Sequence, residues 1–449
     1  MTKDLTTGNP LKLILQFSFP ILLAMLFQQF YNLVDTMIVG KTLGANALAA
    51  VGSTGSLNFM VIGFCSGICA GFTIPMSQSF GARNESELKR FIGNSFWLCL
   101  VFAVVLTILT VILCKSILRV MNTPQEILDA AHSYIVIIFA GIPATFLYNM
   151  LSCMIRSVGD SKTPVLFLGL ASGLNILLDI LLITVVHMGV SGAAVATVTS
   201  QTVSGVLCLL YLKKKFPILQ PSGEQWRLRS RYASKLCMMG IPMGLQYSVT
   251  AIGSIILQTA VNSLGTLYVA AVTAGSKLSL IFCCPFDALG TAIATYSGQN
   301  IGAGKPRRVR QGVNACMMLG AIYSVIALVL FFFAGKLLLT LFVDASNTEI
   351  IGHAWTFLIC VSLFYVLLTG VNVYRFCIQG MGYSQIAVLA GAMEMLARTV
   401  TGIILVPLFG FAGVCAASPL AWIAANLFLI PAYLHYTGKL ITQTEKSET

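Results

Sequence analysis

Gln78-Ser79-Phe80-Gly81-Ala82 returns 221 residues later as Gln299-Asn300-Ile301-Gly302-Ala303. The same offset carries Leu43-Gly44 into Leu264-Gly265 and Ala49-Ala50-Val51 into Ala270-Ala271-Val272. Further along, Ile155-Arg156-Ser157-Val158-Gly159-Asp160-Ser161 is echoed by Ile378-Gln379-Gly380-Met381-Gly382-Tyr383-Ser384, Gly189 to Gly192 by Gly410 to Gly413, and Pro20 by Pro242. The chain from Leu11 to Lys213 is therefore written a second time, weakly, from Tyr232 to Tyr436. A period this long is not that of a solenoid.

Composition places both copies in a bilayer. Of 449 residues, 57% are hydrophobic and 9% charged, against roughly 25% charged in an average soluble domain. A helix needs about 20 apolar residues to cross the hydrocarbon. Twelve runs qualify, near 13–39, 48–78, 91–114, 131–155, 163–186, 190–212, 236–262, 268–298, 311–334, 352–376, 386–406 and 411–436. An even six per copy means both copies enter the membrane in the same sense. The expected fold is an all-α membrane protein of twelve transmembrane helices, two six-helix bundles related by a pseudo-two-fold axis along the membrane normal. The domains read as 1–212, a cytoplasmic linker 213–235, and 236–449 with a short tail.

Lys and Arg are retained on the cytoplasmic side of short loops. With both termini inside, 21 of the 27 cations fall on the inner side, Arg156 and Arg375 among them. Only Lys41, Lys115, Arg119 and Lys336 lie outside, and Lys277 and Arg398 lie within spans. The net charge of +12 is thus dispersed over inner loops. That suits topology and contact with anionic membrane lipid and gives no nucleic-acid role. The first apolar run is too long for a cleaved signal, and the 13 cysteines show no paired CxxC spacing for a disulfide framework or zinc site. The linker 213–235, broken by Pro217, Pro221 and Gly223, reads as a hinge strap whose Trp226-Arg227-Leu228-Arg229 can lie along the inner leaflet, with a simple tether as the alternative.

Four acids fall inside predicted spans: Asp35, Asp179, Asp287 and Glu394. Each costs about 2.5–3.5 kcal/mol near a helix centre, so each is a functional candidate. In the first span Gln28, Tyr31, Asn32 and Asp35 form one polar stripe. Asn175 and Asp179 share a face of the fifth span, and Thr197 follows the Gly192-Ala193-Ala194 run of the sixth. Counting residues from the outer ends at 1.5 Å each puts Asp35, Asp179 and Thr197 at a common depth of roughly 7–10 Å. Two carboxylates, a carboxamide and a hydroxyl at one level can bind a hard monovalent cation through oxygen, and two close carboxylates can share and release a proton. Asp35, Asn175, Asp179 and Thr197 would be the metal ligands if the ion is Na⁺. The alternative is that the two aspartates satisfy helix ends and fix packing.

The second copy lacks this set, since Asn175 aligns with Arg398 and Asp179 with Gly402. Instead Glu394 and Arg398 are spaced for an intrahelical ion pair, with Asp287 and Lys277 as partners in a secondary polar network, either structural or functional.

The six-plus-six layout, Gln28-Gln29-Phe30-Tyr31-Asn32-Leu33-Val34-Asp35, and the paired motifs Gln78-Ser79-Phe80-Gly81-Ala82 and Gln299-Asn300-Ile301-Gly302-Ala303-Gly304 resemble the multidrug and toxic compound extrusion (MATE) transporters over essentially the whole chain. The resemblance implies a V-shaped pair of lobes and cation-driven antiport that expels organic, often cationic and aromatic, compounds. It also implies an amino-lobe cation site at Asp35, Tyr31, Asn175, Asp179 and Thr197. The seventh-span acid of one branch of that family is missing, because the region near Thr250 has none. The coupling ion, H⁺ or Na⁺, is accordingly placed in the amino lobe. No cofactor and no catalytic residue is expected. The partners are small-molecule substrates and membrane lipid, the protein is read as a monomer, and its place is the plasma membrane with both termini cytoplasmic. A flippase for a lipid-linked precursor on a related two-lobed fold is the alternative function, but it would be expected to carry a cationic central cavity.

Overall fold

The computed structural model describes residues 3–121 and 123–448, and every regular element among them is helical. The first half runs α1 (Pro10–Leu43), α2 (Asn46–Gly81), α3 (Glu85–Val120), α4 (Gln125–Ala140 with Ile142–Ser157), α5 (Lys162–Val185) and α6 (Val190–Lys215). The second repeats it as α7 (Ser230–Asn262), α8 (Thr266–Gly302), α9 (Pro306–Leu339), α10 (Thr348–Ser362 with Tyr365–Gly380), α11 (Ser384–Phe409) and α12 (Phe411–Lys446). Ten are single helices long and apolar enough to cross a membrane, and α4 and α10 are pairs bent by 47° and 50°. Each pair counted as one span, the total is twelve.

Shared local structure explains the repeated motifs. Gly44 and Gly265 precede the second span of each half with φ of +85° and +101°, a backbone region that costs a side chain energy and glycine little. Near the carboxyl end of the fifth span of each half the helix widens into a π-turn, Leu181–Val185 and Thr401–Leu405. There the Val186 amide donates to Leu181 O and the Val406 amide to Thr401 O. Such turns insert a residue into the ladder and often mark functional sites.

Packing divides the chain into two units inside α1 and α7. Unit 1 holds Leu23–Ser248 with Lys3 and Asp4, and unit 2 holds Leu5–Leu22 with the residues from Val249 onward. The boundaries fall within the first span of each half, not at the linker.

In unit 1 the close approach of α2 to the first part of α7 depends on glycine. A Cβ on Gly67 would lie 2.5 Å from Met243 O, and one on Gly71 would lie 2.5 Å from Gly240 Cα. Lipid tails are as apolar as leucine, so helices in a bilayer gain little from hydrophobicity and associate through such small-residue contacts. The linker is built into the same unit. Trp97 Nε1 donates to Trp226 O at 2.9 Å, Asn94 Nδ2 to Arg227 O at 3.3 Å, and the Arg229 amide to Asn94 Oδ1 at 2.8 Å. A capping box between Ser222 and Gln225 rigidifies the turn before it. The linker is thus bolted to α3.

In unit 2 the motif Gln299-Asn300 clasps the extended segment ahead of α1. Gln299 Oε1 accepts the Leu5 amide at 2.9 Å, Asn300 Nδ2 donates to Leu5 O at 3.2 Å, and Arg308 donates to Gly8 O at 2.9 Å. Deeper in the unit, Arg375 of α10 is buried and ion-paired with buried Glu394 of α11. Counting Arg375 among loop cations is corrected here: it lies inside a helix, one and a half turns from its carboxyl end. A buried carboxylate without a cation would be too costly, and Arg375 answers Glu394.

On the membrane-facing side both units present rows of exposed apolar residues, among them Val101, Val105, Ile108 and Ile112 on α3 and Ile322, Val325, Val329 and Phe333 on α9. A soluble monomer rarely exposes so long a patch; acyl chains cover it here.

Two stability predictions follow from these contacts. Gly67→Val and Gly71→Val overpack a backbone crossing and should each destabilise unit 1 by about 1–3 kcal/mol or more. Gly169→Ala, whose Cβ meets nothing within 4 Å, should leave the midpoint of heat-induced aggregation in detergent unchanged. Arg375→Met or Glu394→Gln alone should each cost about 3–5 kcal/mol, and the double substitution much less, because it removes the charge and its partner together. A double variant no more heat-resistant than the single ones would contradict this.

Candidate cation site

The polar stripe of α1 carries Tyr31 and Asp35 one turn apart in its carboxyl-terminal half, within unit 1. From α5 come Asn175, 2% exposed, and Asp179, fully buried. Thr197 comes from α6, whose Gly192-Ala193-Ala194 start is buried and lets that helix lie close against α5. Asn175 Nδ2 donates to Thr197 Oγ1 at 3.4 Å, and Thr197 Oγ1 donates to Ala193 O at 3.0 Å. The carboxyl groups of Asp35 and Asp179 lie within proton-sharing reach of each other. Tyr31 interacts electrostatically with both and hydrogen-bonds to Gln28. The structure therefore brings Tyr31, Asp35, Asn175, Asp179 and Thr197 together from three helices.

The hydrogen-bond inventory of this pocket is one-sided. Asp35 Oδ1, both oxygens of Asp179 and Asn175 Oδ1 are buried and accept no hydrogen bond. Thr197 spends its proton on Ala193 and Asn175 spends an amide proton on Thr197, so the neighbours have little left to donate. Two ionised carboxylates side by side in a low-dielectric interior are prohibitive unless something positive neutralises them. A shared proton does this for a carboxyl pair. The all-oxygen donor set also fits a hard cation, for which carboxylate, carbonyl and hydroxyl oxygens are the usual ligands.

Tyr134 of α4, 7% exposed, joins the pocket through its interactions with Asp35, Tyr31 and Asp179, and sequence reasoning missed it. A tyrosine in an apolar run carries no periodic signal that separates packing from site membership.

In unit 2 the secondary network resolves into pieces. Glu394 is ion-paired with Arg375 and lies 3.9 Å from Arg398. Arg398 Nη1 donates to Ser254 Oγ at 3.0 Å. Asp287 is held by Asn372, whose Nδ2 donates to its Oδ1 at 3.2 Å. Lys277 joins none of these; it is exposed on α8, ten residues or about 15 Å of helix from Asp287. Asn372 and Arg375 are the members that sequence reasoning did not name as site residues. An acid inside α11 demanded a cation on a neighbouring span, and Arg375 is the cation that the predicted span 352–376 contains.

Comparison with known proteins agrees with this architecture. The family model MatE matches twice, at residues 20–181 and 242–408, once in each half. Among curated proteins, the chain is 33% identical over 378 residues to "Probable multidrug resistance protein YpnP" of Bacillus subtilis, covering 82% of each chain. It is 25% identical over 307 residues to an "FAD transporter" of Shewanella oneidensis, covering 67% of this chain and 68% of that one. A solved structure described as the outward-facing conformation of a multidrug resistance MATE family transporter superposes with a TM-score of 0.91 at 22% identity, covering 98% of this chain and all of the other. With both halves matched by the family model and a relative one-third identical over most of its length, the chain belongs to the MatE family of multi-pass membrane transporters and is not an enzyme.

Proposed function

We propose that the chain is a multidrug-type exporter of organic compounds at the plasma membrane, driven by exchange for H⁺ or Na⁺ at the carboxyl pocket of unit 1. The observation that carries this reading is the cluster of four buried oxygens without donors, on Asp35, Asp179 and Asn175. Such a cluster stores a demand for positive charge that a transported cation meets. The names of the relatives support the export of drugs. The inner-side excess of cations supports cytoplasmic termini.

In this mechanism the ion binds Asp35 and Asp179, with Asn175 and Thr197 orienting it and Tyr31 closing the pocket. Neutralisation removes the repulsion between the carboxylates, so the helices carrying them, α1 and α5, can pack more closely. Removal of the ion restores the repulsion and the looser arrangement. Binding shifts such an equilibrium only by its difference in affinity for the two states. Transport therefore requires that the pocket be charged in one state and neutral in the other.

Dye efflux from vesicles holding the full chain, measured under an imposed pH or Na⁺ gradient, tests this. Asp35→Asn and Asp179→Asn should each slow gradient-driven efflux by about tenfold or more, the effect of losing ~1.4 kcal/mol of differential ion binding. Dye binding without a gradient should persist. Gradient-driven export by both variants at the parental rate would overturn the reading.

A further inference from the structure

In the sequence alignment of the two copies, Asn175 of the unit 1 pocket pairs with Arg398 and Asp179 with Gly402. Each lies ahead of or within the corresponding π-turn region, Leu181–Val185 or Thr401–Leu405. Where unit 1 offers oxygens that lack donors, unit 2 offers a guanidinium that lacks acceptors. Arg398 Nε is buried and has no hydrogen-bond partner. Its Nη1 is spent on the neutral Ser254 hydroxyl at 3.0 Å, and its Nη2 reaches Glu394 only at 3.9 Å. Glu394 is already matched by Arg375, so Arg398 holds the more distant place in that ion pair and keeps an N–H without an acceptor.

The Arg398 side chain is not sealed off as a whole, although its Nε is buried. It is 15% exposed. Its stem rests against the α7 backbone at Gly253, where an added Cβ would lie 3.5 Å from Arg398 Cδ. Beside it α7 displays Ser254, Gln258 and Asn262 at four-residue intervals, with Gln258 Nε2 donating to Asn262 Oδ1 at 2.9 Å. Ser254 and Gln258 are exposed on unit 2, about 6–12 Å below the outer end of α7 at 1.5 Å per residue. A row of hydroxyl and carboxamide groups ending on an arginine, at membrane depth, faces water or a ligand and not acyl chains.

We propose that Arg398, with Ser254 and Gln258, binds the anionic group, carboxylate or phosphate, of an exported organic molecule. Substrates that carry a negative charge, zwitterions above all, are then accepted beside plain cations. The inference rests on the reading of the chain as an exporter of organic compounds and adds the class of substrate. Guanidinium is suited to this because its fork matches two oxygens of one anion, and Nε is the donor left without a partner.

The experiment compares rhodamine B, which has a free carboxylate, with its ethyl ester, which has none. Equilibrium binding to the purified full chain is read by fluorescence polarisation in phosphatidylcholine nanodiscs, with no ion gradient. The parent should bind both dyes. Arg398→Gln should weaken rhodamine B by about tenfold, the size of one charge-assisted hydrogen bond, and leave the ester unchanged. Arg398→Lys should recover part of the loss, and Ser254→Ala should give a smaller loss of the same selectivity. Retained ester binding shows that a variant is folded. A parent that binds only the ester, or an Arg398→Gln that weakens both dyes alike or neither, overturns the proposal. Nanodiscs containing phosphatidylglycerol separate the two sources of anion. Persistence of the Arg398-dependent difference supports a substrate group, whereas its loss there assigns the site to a lipid phosphate and overturns the substrate assignment. Because no gradient is applied, failure of ion coupling at Asp35 and Asp179 would leave this result untouched.

Discussion

A carboxylate cannot sit inside a bilayer protein uncompensated, and the two halves of this chain meet that constraint in different ways. In unit 2 the compensation is internal: Glu394 is buried against Arg375, and Asp287 is held by Asn372. In unit 1, among the described residues, no basic side chain pairs with Asp35 or Asp179, and Asp35 Oδ1, both oxygens of Asp179 and Asn175 Oδ1 lack donors. The Glu394–Arg375 pair is static, because both charges are carried by the chain. The pocket of unit 1 is completed only by something that arrives and leaves, which is what coupling to an ion requires.

The duplication makes this contrast possible. The two copies share their positive-φ glycines, their π-turns and their bent fourth spans, so the backbone is common property. The side chains projected from it are not. Asn175 and Arg398, each ahead of the π-turn of its half, have opposite appetites, one leaving an oxygen free and the other an N–H. In unit 2 Gln299 and Asn300 hold the backbone of Leu5, whereas the strap in unit 1 is fixed by Asn94 and Trp97 on α3.

Much of the fold was legible because bilayer thickness and hydropathy leave few options: apolar runs of sufficient length, six per copy, could only be spans. The bends in α4 and α10 were less so. Pro143 lies just past the break at Gly141 and could have signalled the first, but the break after Ser362 has no proline or glycine beside it, so tertiary packing decides it. At the site, the four-residue spacings of Tyr31 with Asp35 and of Asn175 with Asp179 put each pair on one helix face, and depth put them at one level. That α1, α5 and α6 bring these faces together is a matter of helix arrangement, which periodicity does not encode. Arg375 was misread because a cation near the end of an apolar run satisfies the inner-loop rule and the buried-partner rule equally well. Only its burial beside Glu394 distinguishes them.

The most direct test of the carboxyl pocket is covalent. Dicyclohexylcarbodiimide reacts with protonated carboxyl groups in apolar surroundings, and peptide mass spectrometry locates the adduct. The account predicts an adduct on Asp35 or Asp179 of the purified protein that diminishes as pH rises, or as Na⁺ is added at fixed pH. Absence of any adduct on both residues across the accessible pH range, or an adduct indifferent to both pH and Na⁺, would contradict it.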